Sequence, residues 1–320
     1  MENNLVNLKK TNNITNKNKN GLFHFYLKIF LIIIVFLNYF YIILYIYISN
    51  NKSNKQIKLK IKPRVIAISY SNQRYQTQLK FNKKSALEVG KVDIHYSYGP
   101  DDIDPDFKLK NKDILSRKRG DGYWLWKPYF INKTLIEKMN EGDYLIYTDA
   151  CVLYLNSTKK FIELLEKTNS DMWMHRVSFI EKLYTKRDAF ILMGADSNFY
   201  TDTKQYAATI QIYKKSKYIE KFVEELLYYS QDKRIITDDK NTLGFKNYKE
   251  FRDNRHDQTV LSILIKKYGE VNSGKANMNI NRIKGRKSLK PSIFCTYRRK
   301  PFKNYDDIRN ICIKNKNIII

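Results

Sequence analysis

Two short stretches concentrate the side chains able to do chemistry. The first, Arg119-Gly120-Asp121-Gly122-Tyr123-Trp124-Leu125-Trp126-Lys127-Pro128, sets two glycines among two cations and three aromatic rings. Glycine lets backbone approach a ligand closely, Arg119 and Lys127 can meet a diphosphate, and an aromatic face can stack on a base or sugar. Aromatic rings also bury well, so at least one of Trp124 and Trp126 is expected to be core. Pro128 suits the first turn of a following helix. The second stretch, E-G-D-Y-L-I-Y-T-D-A, runs from Glu141 to Ala150 and ends a buried-looking strand on Asp149. Ligands of open parallel sheets gather outside the carboxyl ends of strands, which is where this carboxylate would stand. An N-cap for whatever follows is the other reading of Asp149.

Further candidates lie downstream. Asp257 opens an apolar stretch of helical period, where a carboxylate can be aimed into a cleft and accept a hydroxyl proton, or else stabilise the helix dipole. His256 beside it is a metal ligand, a phosphate contact or a structural residue. Asp188, in K-R-D-A-F, is a second carboxylate for an acceptor or sugar.

Taken in order, R-G-x-G-Y-W-x-W-K-P, G-D-Y-x-x-Y-x-D-A, K-R-D-A-F (Lys186 to Phe190) and R-H-D-Q-T-V-L-S-I-L (Arg255 to Leu264) resemble a group of GT-A-type glycosyltransferases over residues 64 to 275. The resemblance implies a single Rossmann-like α/β domain, a nucleotide-sugar donor, a glycan, protein or lipid acceptor, and often a divalent metal, Mn or Mg. Read together with the chemistry above, it leaves Arg119, Gly120, Gly122, Trp126, Lys127 and Asp149 as donor-binding candidates, Asp257 and Asp188 as catalytic candidates, and Asp149 with His256 as candidate metal ligands. Asp149 looks like the acid of a D-x-D-type motif, but the second acid such a motif needs at 147 or 151 is replaced by Tyr147 and Cys151. Without a metal, Arg119 and Lys127 must carry more of the diphosphate charge. The missing acid also keeps open a non-catalytic, membrane-anchored nucleotide- or glycan-binding protein of the same fold.

The elements that must position these residues follow from period and punctuation. Residues 1–21 are polar and lack apolar period, which predicts a disordered tail. Residues 22–48 are read as a transmembrane signal anchor, because Ile29 to Ile48 is twenty residues without a charge, enough to cross a hydrocarbon core of ~30 Å. A cleaved signal peptide fits less well, since the run is long and no small-x-small site follows. Lysines flank it on both sides, so an ER or Golgi lumen-facing, type II orientation is an expectation from function, not from charge. Residues 49–63 form a stem and 64–275 the catalytic domain. Within it Arg64–Tyr70 and Val92–Tyr98 read as strands, Tyr75–Glu88 as a helix, and Asp101–Asp106 as a solvated loop rather than a calcium site. Phe161, Leu164 and Leu165 mark a helix face, Asp171–His175 a short strand, and Gln205–Tyr213 one strand. Helices follow over Lys217–Tyr229 and from near His256. The alternation predicts a mostly parallel sheet covered on both faces. Residues 276–320 are expected to be a basic, partly irregular extension.

Composition bounds the rest. A formal charge of +27 would suit nucleic acid, but the cations are dispersed and no nucleic-acid motif is present, so that partner is set aside. Three cysteines show no metal-ligand spacing, and Cys295 and Cys312 can pair only in an oxidising lumen. The N-x-S/T sites at Asn13, Asn51, Asn132 and Asn156 arise easily in an asparagine-rich chain.

Overall fold

The computed structural model describes residues 27–49, 62–269, 294–296 and 304–314. The chain divides into two units, Met1–Lys62 and Pro63–Ile320. In the first, helix α1 (Leu27–Ser49) has 23 residues, and an 18-residue window of it has a mean hydropathy of 2.7. It is long and apolar enough to cross a membrane, a test that a signal sequence also passes. Its one amide, Asn38, donates to the Ile34 carbonyl at 2.9 Å, so the helix satisfies its own polar group. The expected tail, residues 1–21, and residues 50–61 of the expected stem lie outside the described residues.

The second unit is built on a five-stranded sheet in the order β2-β1-β3-β8-β5. Its strands are β1 (Val65–Tyr70), β2 (Ile94–Tyr98), β3 (Tyr144–Thr148), β5 (Met172–Trp173) and β8 (Ile210–Lys214). β1 pairs in parallel with both β2 and β3, while β8 runs antiparallel to β3 and β5. Four strands therefore share a direction and β8 opposes them. Period-2 alternation sorts the side chains. Ile66, Ile68, Tyr70, Leu145 and Tyr147 enter one core, and Ala67, Tyr144, Ile146, Ile210 and Ile212 enter the other. Helices α3 (Trp126–Lys138), α5 (Lys217–Ser230) and α6 (Asp257–Lys267) supply the first core, and α2 (Gln76–Glu88) and α4 (Lys159–Thr168) the second. Helices thus cover both faces, as the alternation predicts.

Because β1 lies between β2 and β3, the chain leaves β1 in one direction through α2 and returns on its other side through α3. The carboxyl ends of β1 and β3 then flank a topological switch point, where an open α/β sheet leaves a crevice.

Three expected elements differ. The single strand expected over Gln205–Tyr213 is two, β7 (Lys204–Tyr206) and β8, because the chain changes partners at Ala207–Thr209: β7 pairs with β6 (Arg176–Ile180) and β8 with β3. The Asp101–Asp106 loop is partly helical. Pro100–Asp102 forms a 3-10 turn and Pro105, locked near helical φ, starts a helix to Lys110. The residues expected as an extension after 275 supply β9 (Phe294–Thr296), which pairs with β4 (Val152–Tyr154), and α7 (Tyr305–Lys314). Cys295 and Cys312 form a disulfide within a small core with Leu153, Tyr305 and Ile308. The basic segment over residues 270–293 lies outside the described residues.

Candidate functional site

A cavity of about 870 Å³ occupies the switch point. Residues just past β1 (Ser71, Asn72), just past β3 (Asp149, Ala150) and just before β8 (Ala208, Thr209) line it. The rest of the wall comes mainly from the Lys118–Lys127 stretch and from Asn254 to Gln258, with Tyr70, Arg74, Tyr75, Gln78 and Cys151 completing it.

The Arg119-to-Trp126 motif folds in a way its composition only hints at. Gly120, Asp121, Gly122, Tyr123 and Trp124 all have positive φ, at 59°, 56°, 89°, 52° and 63°. Five such residues in succession make a left-handed turn, which costs roughly 1–2 kcal/mol at each non-glycine position. Glycine is required at 122, where an added Cβ would stand 2.8 Å from the Leu115 Cα. The turn is held by Gly122 and Tyr123 amides donating to the Arg117 and Arg119 carbonyls, each at 2.8 Å. Trp126 Nε1 donates to the Gly120 carbonyl at 3.0 Å, and its ring stacks on Tyr70 with centroids 3.9 Å apart. Tyr70 in turn donates its hydroxyl to Asp121. Strain of this kind, held by its surroundings, is concentrated at functional sites.

At the cavity floor three ionisable groups meet. Lys127 Nζ lies 2.5 Å from Asp257 Oδ2 and 3.4 Å from Asp149 Oδ1, and donates to the Ala208 carbonyl at 3.3 Å. The Lys127 side chain is 4% exposed, that of Asp257 10% and that of Asp149 19%. Tyr147, facing inward from β3, donates its hydroxyl to Asp149 Oδ1 at 2.8 Å, and burial raises its pKa so that it remains a neutral donor. Burial raises the Asp257 pKa, Lys127 opposes that shift, and the Asp149 charge adds to it. No helix follows Asp149, only β4 at Val152, so the N-cap reading of that residue has nothing to cap. Asp257 is the first residue of α6, and a dipole role accompanies its place in the cavity.

His256 stands beside this floor at φ 57°, ψ −116°, a conformation rare for a side-chain-bearing residue. Its Nδ1 bonds the Ile236 carbonyl at 2.8 Å, which makes Nδ1 the protonated nitrogen and leaves Nε2 an acceptor. Its ring stacks on Trp124 with centroids 5.2 Å apart, and burial lowers its pKa, keeping the imidazole neutral.

Of the sequence candidates, Arg119, Gly120, Trp126, Lys127, Asp149, His256 and Asp257 line the cavity, and Gly122 and Asp188 do not. Gly122 packs against Leu115 behind the turn. Asp188 is fully buried and accepts from Thr242 N at 2.6 Å, Thr242 Oγ1 at 3.0 Å and Leu243 N at 3.4 Å. It pins the long irregular loop from Thr237 to Arg255, so it positions the segment that delivers Asn254, Arg255 and His256. Arg119 does not reach into the cavity unaccompanied. It bridges Asp238 at 2.8 Å and Asp253 at 3.0 Å, tying the left-handed turn to that same loop. Lys127, expected at a diphosphate, instead joins two carboxylates. Sequence reasoning missed Asn72, Arg74, Arg255 and Gln258, all cavity residues; their adjacency to the end of β1 and to Asp257 was the available signal.

The donor set does not fit a divalent ion between Asp149 and Asp257. An ion bound by the two oxygens that face Lys127, Asp149 Oδ1 and Asp257 Oδ2, would have to stand where the ammonium stands, one positive charge against another. Among the described residues no group of three His, Cys, Asp or Glu side chains converges to hold a metal.

No protein-family model matches the sequence, and no curated protein matches it. Among solved structures the chain is similar to the bifunctional glycosyltransferase WbbM, at 8% identity and TM-score 0.38 over 64% of this chain and 38% of that one. It is similar to the glycosyltransferase GlyE of Streptococcus pneumoniae at 12% identity and TM-score 0.39, over 78% of this chain and 63% of that one. It is also similar to core-mannan synthase A of Aspergillus fumigatus in its Mn/GDP form, at 10% identity and TM-score 0.35, over 64% and 70%. The chain spans less than two thirds of the length of WbbM and of GlyE. Similarities of this size leave function to be argued from the cavity itself.

Proposed function

We propose that the chain is a glycosyltransferase that moves a sugar from a nucleotide-sugar donor to a hydroxyl of a glycan, protein or lipid acceptor. One observation carries this reading: three motifs far apart in sequence meet at the switch point of the sheet. They place a Lys127-bridged carboxylate pair under a rim of Lys118, Arg119 and Arg255 and beside the Trp124 and Trp126 rings. A diphosphate has its cations there, a base or sugar its aromatic faces, and an acceptor hydroxyl its carboxylate.

In the reaction the bond between the anomeric carbon and the donor phosphate oxygen breaks, and its electron pair leaves with the nucleoside diphosphate. The rim cations meet that charge as it develops, from positions fixed beforehand, which is where electrostatic catalysis contributes most. The acceptor oxygen bonds to the anomeric carbon and its proton passes to Asp257, whose burial raises its affinity for a proton. Asp149, at the end of β3, holds hydroxyls of the donor. The apolar α1 supports a single-pass anchor, and the Cys295–Cys312 disulfide supports an oxidising, lumenal setting in the secretory pathway.

The test is release of nucleoside diphosphate from a panel of nucleotide sugars by the full chain in detergent. Wild type is expected to turn over at least one donor, and Asp149→Ala to lower that turnover by roughly 100-fold or more. Full turnover in Asp149→Ala would remove Asp149 from the site. Nucleotide binding with no turnover of any donor would select the non-catalytic reading.

A further inference from the structure

The glycosyl-transfer reading leaves open how the cavity compensates the charge of a diphosphate. We propose that Lys127 does the bridging work of a divalent cation, so that the nucleoside diphosphate is bound and released without a metal. A metal in such a site has two tasks. It holds acidic side chains in a fixed relation, and it offsets the negative charge of the leaving group. Here the first task belongs to Lys127. Its Nζ lies 2.5 Å from Asp257 and 3.4 Å from Asp149 and donates to the Ala208 carbonyl at 3.3 Å, so one ammonium is shared by both carboxylates and a backbone oxygen. The Tyr147 hydroxyl occupies Asp149 Oδ1 as well, so the oxygen a metal would share is already committed to two donors.

The second task belongs to the rim. Arg74, Lys118, Arg119, Lys127 and Arg255 line the cavity with three carboxylates, Asp121, Asp149 and Asp257. Lys127 is matched by Asp149 and Asp257 and Arg119 by Asp238 and Asp253, so Arg74, Lys118 and Arg255 are the cations left to meet an anionic ligand. Arg255 is held over the Phe179 and Tyr184 rings at 4.9 and 4.8 Å, while the Asp238 and Asp253 bridges fix the position of Arg119. The sequence adds a constraint from the other side. Between Glu270 and Asn304 the chain offers Glu270 as its sole carboxylate and no histidine, so the segment after α6 brings little with which to complete a metal shell. Tyr147 and Cys151, where a second acid would stand, are consistent with a site in which the cation is covalently part of the chain.

The inference rests on the glycosyl-transfer reading for its ligand, and the experiment separates the two. Full-length protein in detergent is stripped with EDTA. Manganese alone is then titrated in and followed by the paramagnetic resonance signal of the free ion, and UDP, GDP and ADP are titrated by calorimetry with EDTA or with manganese. The expected result is no manganese bound at the cavity, the same nucleotide affinity in both buffers, and the same donor turnover in both. Manganese binding that Asp149→Asn abolishes, or turnover lost in EDTA and restored by manganese or magnesium, overturns the proposal. If no nucleotide binds in either buffer, the glycosyl-transfer reading fails, and the manganese titration still decides whether Lys127 excludes a metal. In Lys127→Met the bridge is gone while the carboxylates remain, and that variant is expected to bind manganese where wild type does not. A folded Lys127→Met that binds none would also count against the bridging role.

Discussion

Asp257 has neighbours that pull its proton affinity in opposite directions. Burial raises it, Lys127 at 2.5 Å lowers it, and the balance is upward. A base must be deprotonated to act, so kcat/KM should rise with pH along a limb displaced above the ordinary carboxylate value near ~4. Asp257→Asn removes the base while preserving shape, and should lower kcat by roughly 10²–10⁴-fold while leaving donor affinity nearly intact. An acid limb at the ordinary carboxylate value, or a variant that keeps its kcat, would contradict the assignment. At this scale the sequence showed which residues gather at the cavity better than which partners they meet there. The place of Asp149 in the cavity was legible because ligands of an open sheet gather at the carboxyl ends of its strands, where this residue ends an apolar run. The inward role of Lys127 was not, because its partner Asp257 lies far along the chain and nothing local to W-K-P announces it. Asp188 misled for the converse reason: a buried carboxylate that receives three hydrogen bonds from a distant loop looks, in sequence, like one free for chemistry.

Three residues join β3 to β4, and among them is Asp149. Their ends are fixed by one side chain from α2. Asn82, fully buried, donates from Nδ2 to Thr148 Oγ1 at 2.9 Å and to the Val152 carbonyl at 2.7 Å, while His95 on β2 bonds its Oδ1 at 2.9 Å. Asn82→Ala leaves these groups without a partner and should cost about 1–3 kcal/mol of stability. It should also raise KM for the donor, because the Asp149 loop loses its clamp. Urea denaturation and a donor titration measure the two effects, and an unchanged KM would remove Asn82 as a positioning residue. Among larger elements, α5 and α6 were legible from their apolar stripes and β1 and β3 from their runs. The break between β7 and β8 was not. Ala207, Ala208 and Thr209 carry no turn residue, and the chain bends there because the Ala207 amide bonds the His175 carbonyl at 2.9 Å and the Ala208 carbonyl receives Lys127. Gly120 and Gly122 signalled an unusual turn, but Asp121, Tyr123 and Trp124 in left-handed conformation have no sequence signature.

For the whole molecule, the unit Pro63–Ile320 joins two cores across one sheet, and stability is shared between them. His95 bridges β2 to the Asn82 clamp, and burial pushes its pKa down to about 4. The unfolded chain therefore takes up a proton that the folded one does not. Stability is complete above the ordinary histidine value near ~6.5 and declines as pH falls from there toward the folded value, by up to roughly 1.4 kcal/mol per pH unit. Urea denaturation at pH 7 and pH 5 measures this, and equal stability at the two would contradict a buried, neutral His95. The fold class and the two-sided covering of the sheet were legible from the alternation of strands and helices. The Cys295–Cys312 link was readable as a pairing conditional on an oxidising lumen, whereas the return of β9 to β4 was not, because pairing between distant segments is decided by topology. The most direct measurement of the central claim is a crystal structure of the protein with a nucleoside diphosphate. The expected result has the diphosphate against Arg119 and Arg255 at the mouth of the switch-point cavity, with Asp257 facing the side where the sugar would be. A nucleotide seated away from that cavity, or a diphosphate with Asp257 turned from it, would contradict the assignment.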